Sequence, residues 1–279
     1  MTIIQDRGRP GLAHLGVGKS GAMDRAALAL ANRLVGNAPD AAGLEILFGG
    51  TELTVDEAIW FAVTGARGEV RVSGRLVPLD TATLAEPGER ISFGAAESGI
   101  RYYLAMRGGI DTDPVLGSRS RDTLAKLGPD PLTAGQELPL GVEPADPIPS
   151  IDVVPVRTPT TGTVTIELRP GPRRDWFEHN AWSLLVDSEW RVSPRSDRSG
   201  IRLEGPALGR TDTRELPSEG MMPGAIQVSP DGAPTILAVD HPVTGGYPVI
   251  AVVTNYALDA LAQLRPGQGI RFRVATGRS

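Results

Sequence analysis

Residues 266–274 read Pro266-Gly267-Gln268-Gly269-Ile270-Arg271-Phe272-Arg273-Val274. The Pro-Gly pair is a turn signal. The alternation of Ile, Phe and Val with Arg then puts apolar side chains on one face and charges on the other, the period of a half-buried strand. Pro87-Gly88-Glu89-Arg90-Ile91-Ser92-Phe93 repeats the arrangement, with Ile and Phe at the same offsets from the Pro-Gly pair. A turn feeding a strand, met once in each half of the chain, points to two similar β-rich units.

The rest of the chain fits that pattern. Short β-branched or aromatic runs stand at 51–55, 59–64, 69–72, 90–93 and 100–106, punctuated by Gly, Pro and Asp. They recur at 163–168, 201–203, 225–228, 235–239, 249–253 and 270–274. This spacing predicts sandwiches or barrels. Helical periodicity is confined to 22–35, with Ser20 as its cap and Gly36 as its left-handed stop, and to the shorter stretches 174–185 and 255–264. Between the halves, residues 141–160 (GVEPADPIPSIDVVPVRTPT) carry Pro at 144, 147, 149, 155 and 159. Proline fixes φ and removes donors, so this segment is predicted extended and strand-poor. The predicted organisation is a mainly β chain with an N-terminal domain over 1–145, a linker over 146–160 and a C-terminal domain over 161–279.

Composition narrows the chemistry. The 279 residues include no Cys, which excludes disulfides, thiolate nucleophiles, iron–sulfur clusters and Cys-ligated zinc. His14, His179 and His241 are the only histidines and lack metal-ligand spacing, so no metal site is expected. Lys19 and Lys126 are the only lysines, and neither lies in a Met-Lys-Met biotin-acceptor motif. The formal net charge of −5, with no basic block, argues against a nucleic-acid partner. Neither a signal-like leader nor an apolar run long enough for a bilayer is present, so a cytoplasmic chain is expected. Trp60, Trp176, Trp182 and Trp190 read as core anchors.

Several segments carry candidate chemistry. Gly16-Val17-Gly18-Lys19-Ser20-Gly21 satisfies G-x-G-x-x-G and ends like a P-loop, but Ala13 stands where a P-loop needs its first Gly and no strand precedes it. It reads as a glycine-rich approach to a capped helix, with backbone N–H groups able to hold an anion. Glu219, in Ser218-Glu219-Gly220, is a general-base candidate, and Gln227 is the one polar residue in Ala225-Ile226-Gln227-Val228. The alternative for both is a solvated loop acid and an outward amide. Thr244-Gly245-Gly246-Tyr247 joins two apolar strands, so its N–H groups can face a carbonyl oxygen and its hydroxyls a substrate; a plain hairpin explains it equally. Asp197, Arg198 and Arg202 offer a carboxylate and guanidinium forks, for a ligand or for structural ion pairs. Gln5, Asp6 and Arg9 form a polar turn of the same ambiguity.

Taken together, these segments resemble one family. Gln5-Asp6-x-Gly8-Arg9-x-Gly11, Ser20-Gly21-Ala22-Met23-Asp24, Leu34-Val35-Gly36-Asn37, Gly108-Gly109-Ile110 and Gly117-Ser118-Arg119-Ser120 occur in order. The second half adds Arg169-Pro170-Gly171-Pro172, Ser196-Asp197-Arg198-x-Gly200-x-Arg202-Leu203-x-Gly205, Ser218-Glu219-Gly220, Gly224-Ala225-Ile226-Gln227-Val228 and Thr244-Gly245-Gly246-Tyr247-Pro248. The whole resembles the family of allophanate hydrolase subunit 2 and the C-type subunit of 5-oxoprolinase, related to the carboxyltransferase region of urea carboxylase and to Kip-antagonist proteins.

That resemblance implies two cyclophilin-like β-barrel domains with a few short helices. It implies a subunit of a heteromeric, ATP-dependent 5-oxoprolinase. The chain would act with a related first subunit (of the allophanate hydrolase subunit 1 type, or the B type of 5-oxoprolinase) to activate 5-oxoproline, and a third subunit would open the ring to glutamate. ATP would be used by the complex, with or without touching this chain; biotin would come only from another chain. The alternatives are a carboxyltransferase or allophanate hydrolase-type subunit of urea degradation, and a non-catalytic protein that binds a sensor-kinase inhibitor. Prolyl isomerase activity rests on fold analogy alone. Within the leading reading, Glu219, Asp197 and Arg198 are assigned to catalysis. Arg202, Gln227, Thr244, Gly245, Gly246 and Tyr247 are assigned to substrate binding, and Gln5, Asp6, Arg9, Ser20, Met23 and Asp24 to support of the site. One departure stands out: the family often has His after the Gly-Pro pair, where this chain has Arg173.

Overall fold

The computed structural model describes residues 1–150, 156–212, 214 and 216–276. It is mainly β, with short helices, and it divides into two compact units. The first comprises Met1–Arg9, Ser20–Asp122 and Lys126–Pro159; the second comprises Pro10–Lys19, Thr123–Ala125 and Thr160–Ser279. The division is therefore not the single cut drawn from the sequence, because two short segments of the first half cluster with the second unit. Residues 151–155 of the proline-rich segment lie outside the described residues. Its earlier part belongs to the first unit, where the buried Arg107 guanidinium donates to the carbonyls of Pro144 and Asp146, 2.6 Å each, and pairs with Glu143.

The first unit holds β1 (Thr2–Gln5), α1 (Arg25–Leu34), β2 (Gly43–Leu47), β3 (Glu52–Thr54), β4 (Ile59–Arg67), β5 (Val70–Val72), β6 (Arg75–Val77), β7 (Thr83–Ala85), β8 (Arg90–Phe93) and β9 (Ser98–Met106). They form a five-stranded sheet, β1-β2-β9-β4-β7, and a four-stranded sheet, β3-β8-β5-β6. One apolar core joins residues of both sheets, among them Leu44, Phe61, Val63, Val72, Ile91, Tyr102 and Leu104. On β4 and β9 the alternate residues Ala62, Ala105 and Tyr103 pack instead with α1 side chains. These strands are buried on both faces and read as continuous apolar runs.

Helix α1 starts later than predicted. Asp24, not Ser20, caps it by accepting from the Ala27 N–H at 2.9 Å. Ser20 has φ +53° and lies four residues upstream. The C-terminal prediction holds: Gly36 is left-handed, and its N–H and that of Asn37 return to the carbonyls of Arg33 and Asn32.

The second unit holds β10 (Val164–Pro170), α2 (Ala181–Asp187), β11 (Glu189–Val192), β12 (Gly200–Glu204), β13 (Glu219–Gly220), β14 (Ala225–Val228), β15 (Pro234–Leu237), β16 (Thr244–Gly245), β17 (Val249–Val253), α3 (Leu258–Leu261) and β18 (Gly269–Val274). Seven of these strands close into a barrel in the order β10-β17-β14-β15-β12-β11-β18, while β13 and β16 pair separately. On β18, Ile270 and Phe272 are buried and Arg271 and Arg273 exposed, the alternation read from the sequence. Gly88 and Gly267 both have left-handed φ in the turns that feed β8 and β18. Trp190 is fully buried, with its indole N–H on the Leu185 carbonyl at 2.9 Å. The other tryptophans are not core anchors. Trp60 is exposed, and Trp176 and Trp182 sit half-buried beneath the Arg214 and Arg174 guanidinium groups. The helix predicted over 174–185 is broken into a single turn at Arg174–Trp176 and α2.

Candidate active site

Two loops of the second unit come together beside the barrel. Glu219 pairs with Gly245 and Gly220 with Thr244 in the β13–β16 ribbon, and the Met221 N–H extends it by donating to the Val243 carbonyl at 2.8 Å. Beneath it, Gln227 is buried on β14. Its amide donates to the Tyr247 carbonyl at 3.2 Å and contacts Met221 Sδ at 3.3 Å. The β14–β17 register slips between Ile226 and Gln227. Such irregularities re-aim a side chain out of the sheet alternation. Gly245 leaves room for this amide: a Cβ there would lie 2.6 Å from Gln227 Nε2.

A third loop supplies a cation that the sequence marks only as a departure from the family pattern. The Gly171 N–H donates to the Ile250 carbonyl at 2.8 Å and the Arg173 N–H to Val249 at 3.1 Å, which fixes this loop along β17. The Arg173 guanidinium then meets the Glu219 carboxylate, Nη2 on Oε1 and Nε on Oε2 at 3.3 Å. Hydrogen bonding to the Glu219 carboxylate raises the Arg173 pKa above its ordinary value. Both side chains are partly open to solvent, 37% and 29%. The assembled constellation is thus Glu219, Arg173, Gln227, Gly245 and the Tyr247 carbonyl, with Thr244, Gly246 and the Tyr247 ring exposed around it. It offers a carboxylate acceptor, a guanidinium fork and an amide held at a set angle.

The other catalytic assignments do not join it. Arg198 is buried and makes a bidentate pair with buried Asp240, 2.9 and 3.1 Å, so its charge is committed inside the unit. Asp240 also accepts from the Thr123 N–H and hydroxyl at 2.9 and 2.8 Å. Asp197 is exposed and closes its own turn, accepting from the Ser199 N–H and hydroxyl and from the Gly200 N–H. Arg202 lies on the exposed face of β12 with Glu204.

The site-supporting residues all fall in the first unit, and most are buried structural groups. The Asp6 carboxylate accepts from the Gly8 and Arg119 N–H groups and from the Ser118 and Ser120 hydroxyls. Arg9 donates to the Val115 and Ser120 carbonyls, and Gln5 and Ser20 to that of Arg121. The Met23 N–H donates to Glu45 Oε2 at 3.1 Å. The Asp24 N–H donates to the Tyr103 hydroxyl at 2.8 Å, and that hydroxyl donates to Glu45 at 2.7 Å. Burial, with Glu45 and Asp24 adding to it, pushes the Tyr103 pKa well above the usual phenol value. Distant motifs are thereby tied into one polar frame.

The P-loop-like segment does not fit a nucleotide. A single 3-10 turn, Ala13–Leu15, precedes it where a strand is needed, and α1 begins only at Arg25. His14 and His179 are exposed, while buried His241 holds the Pro242 carbonyl through Nδ1. Among the described residues no group of three or more His, Asp or Glu could hold a metal ion, and no helix is long and apolar enough to cross a membrane.

The model of the carboxyltransferase domain, subdomains A and B, matches residues 15–274. The chain belongs to that family. It is 38% identical to the C-type subunit of 5-oxoprolinase from Escherichia coli, over 97% of this chain and 87% of that protein. Among solved structures, that of TTHA0988 matches at 34% identity with a TM-score of 0.87, covering 98% of this chain. The Kluyveromyces lactis urea amidolyase matches at 30% identity and TM-score 0.93, over 99% of this chain. The carboxyltransferase-family chain spans only 54% of the former protein and 18% of the latter.

Proposed function

We propose that this chain is the C-type subunit of a heteromeric, cytoplasmic, ATP-dependent 5-oxoprolinase, built on cyclophilin-like β domains. The observation that carries the reading is its near full-length similarity to the Escherichia coli C-type subunit. The partners would be a related B-type subunit and a third subunit that completes ring opening to glutamate.

The chemistry suits the constellation. A lactam nitrogen is a poor nucleophile, and its carbonyl a poor electrophile, because the lone pair is delocalised over the amide. When the lactam oxygen is derivatised, the nitrogen must shed its proton. Glu219 Oε is the acceptor for that proton in the cluster, with the electron pair remaining on nitrogen. Gln227, held by the Tyr247 carbonyl and Met221, orients the ring, and the Gly245–Gly246 backbone lines the carbonyl side. ATP would be used by the complex, with or without touching this chain, and biotin would come only from another chain. This chain's own contribution is binding, orientation and proton handling.

The test is co-expression with the neighbouring subunits, then glutamate release from 5-oxoproline, with urea as comparison. Release that depends on this chain, and falls at least tenfold in Glu219→Gln, supports the reading. Urea turnover with none on 5-oxoproline replaces it with the urea-degrading alternative.

A further inference from the structure

We propose that Arg173 and Glu219 together form the specificity element of this site, a cation–acceptor doublet that takes an amide whose N–H lies next to a carboxylate. This deepens the reading of the preceding section and rests on it. The two side chains touch, so the doublet displays a fork of donors directly beside a carboxylate acceptor. 5-Oxoproline displays the complementary order: its ring N–H and its carboxylate are attached to the same carbon. One ligand can therefore exchange both halves of the pair at once, its carboxylate replacing Glu219 on Arg173 and its N–H donating to the Glu219 oxygen so released. Urea has N–H donors and no anion, and it leaves the Arg173 fork without a replacement partner.

The surroundings favour exchange at this pair and not elsewhere. The pair is partly solvent-exposed, where ion pairs are held weakly and open at little cost. Its backbone is fixed on both sides: Arg173 is anchored to Val249, and Glu219 is paired with Gly245. The doublet can open by side-chain rotation alone. Arg198 cannot serve in its place, because it is buried against Asp240. Guanidinium matches a carboxylate through two parallel N–H bonds, which an ammonium cannot reproduce.

The test is calorimetric binding to the assembled complex of 5-oxoproline, its primary carboxamide and urea, for the wild type, Arg173→Gln and Arg173→Lys. Loss of one charge-assisted contact predicts that Arg173→Gln weakens 5-oxoproline by about 10- to 100-fold. Binding of the carboxamide should stay within about threefold, and Arg173→Lys should recover part of the loss. Equal weakening of both ligands, or none, overturns the doublet while leaving the 5-oxoprolinase reading standing. A wild-type complex that binds urea or nothing, and not 5-oxoproline, overturns both.

Discussion

The Arg198–Asp240 pair separates a structural arginine from a chemical one, and the perturbation that does so is Asp240→Ala. The side chains are 2% and 0% exposed, and four hydrogen bonds converge on the Asp240 carboxylate, two from the Arg198 fork and two from Thr123. Removing the carboxylate leaves a guanidinium buried without its counter-charge, a loss of about 3–5 kcal/mol. At about 3 °C per kcal/mol for a unit of this size, the unfolding midpoint should fall by about 9–15 °C. Arg198→Met combined with Asp240→Leu removes both charges and keeps apolar volume. The Thr123 donors lose an acceptor but no charge is left buried, so at least half of the lost stability should return. Scanning calorimetry and urea unfolding give the stabilities, and glutamate release in the complex gives the function. A structural Arg198 predicts that the double variant turns over within about threefold of wild type. Two results would refute the reasoning: an Asp240→Ala cost below about 1 kcal/mol, or a double variant as stable as wild type with turnover down a hundredfold.

Gly245→Ala should leave global stability nearly unchanged yet lower turnover by tenfold or more. Its Cβ would lie 2.6 Å from Gln227 Nε2 and 3.2 Å from Met221 Cγ, displacing the amide while barrel strands stay in place; wild-type turnover refutes the role of Gln227. Tyr103→Phe strips a buried hydroxyl from Glu45 and the Asp24 N–H, and should cost about 1–3 kcal/mol in urea unfolding with unchanged m-value. Asp212 is held down to about 2 from 3.8, chiefly by the Arg214 side-chain hydrogen bond. Its stabilising effect is therefore complete above the ordinary carboxylate pKa and disappears as pH falls toward 2. Carboxyl-detected NMR titration should show that low midpoint in wild type and a return toward 3.8 in Arg214→Gln.

Strands bounded by turn residues were legible. Residues 90–93 alternate as a half-buried strand, residues 225–228 and 249–253 are short, largely apolar stretches buried on both faces, and all three form strands with the predicted bounds. Burial on both faces writes no period of two, so such strands are read from their turn signals: Gly224 and Pro248 stand just before 225–228 and 249–253, whereas Met1 and Ala42 stand before the equally buried β1 and β2, which escaped. The short β13 and β16 carry no periodicity at all; each exists because the other lies opposite. The same holds for the site. Glu219, Gln227 and Gly245 announce themselves by residue type in glycine-rich or apolar settings. Arg173 does not, because its partner is 46 residues away and only barrel closure brings them together. Arg198 misled for the mirror reason: a guanidinium beside a motif carries no local sign of the buried carboxylate 42 residues on.

Burial is what divides these two pairs into scaffold and site. Both are Arg–carboxylate contacts in the same unit, and both close loops against barrel strands. In the enclosed pair, opening exposes a charge to a medium that cannot solvate it, so the pair remains shut and fixes the loop at 240–248 relative to β12. In the rim pair, water or a ligand carboxylate can take over either partner, so the contact is a resting state and not a lock. A chain with no cysteine and almost no lysine draws most of its cationic chemistry from arginine. Whether a given guanidinium braces or binds is then settled by the dielectric around it. A charge-neutral pair of half-exposed side chains is also the arrangement that an incoming ligand with its own adjacent anion and donor can replace without leaving any charge unmatched.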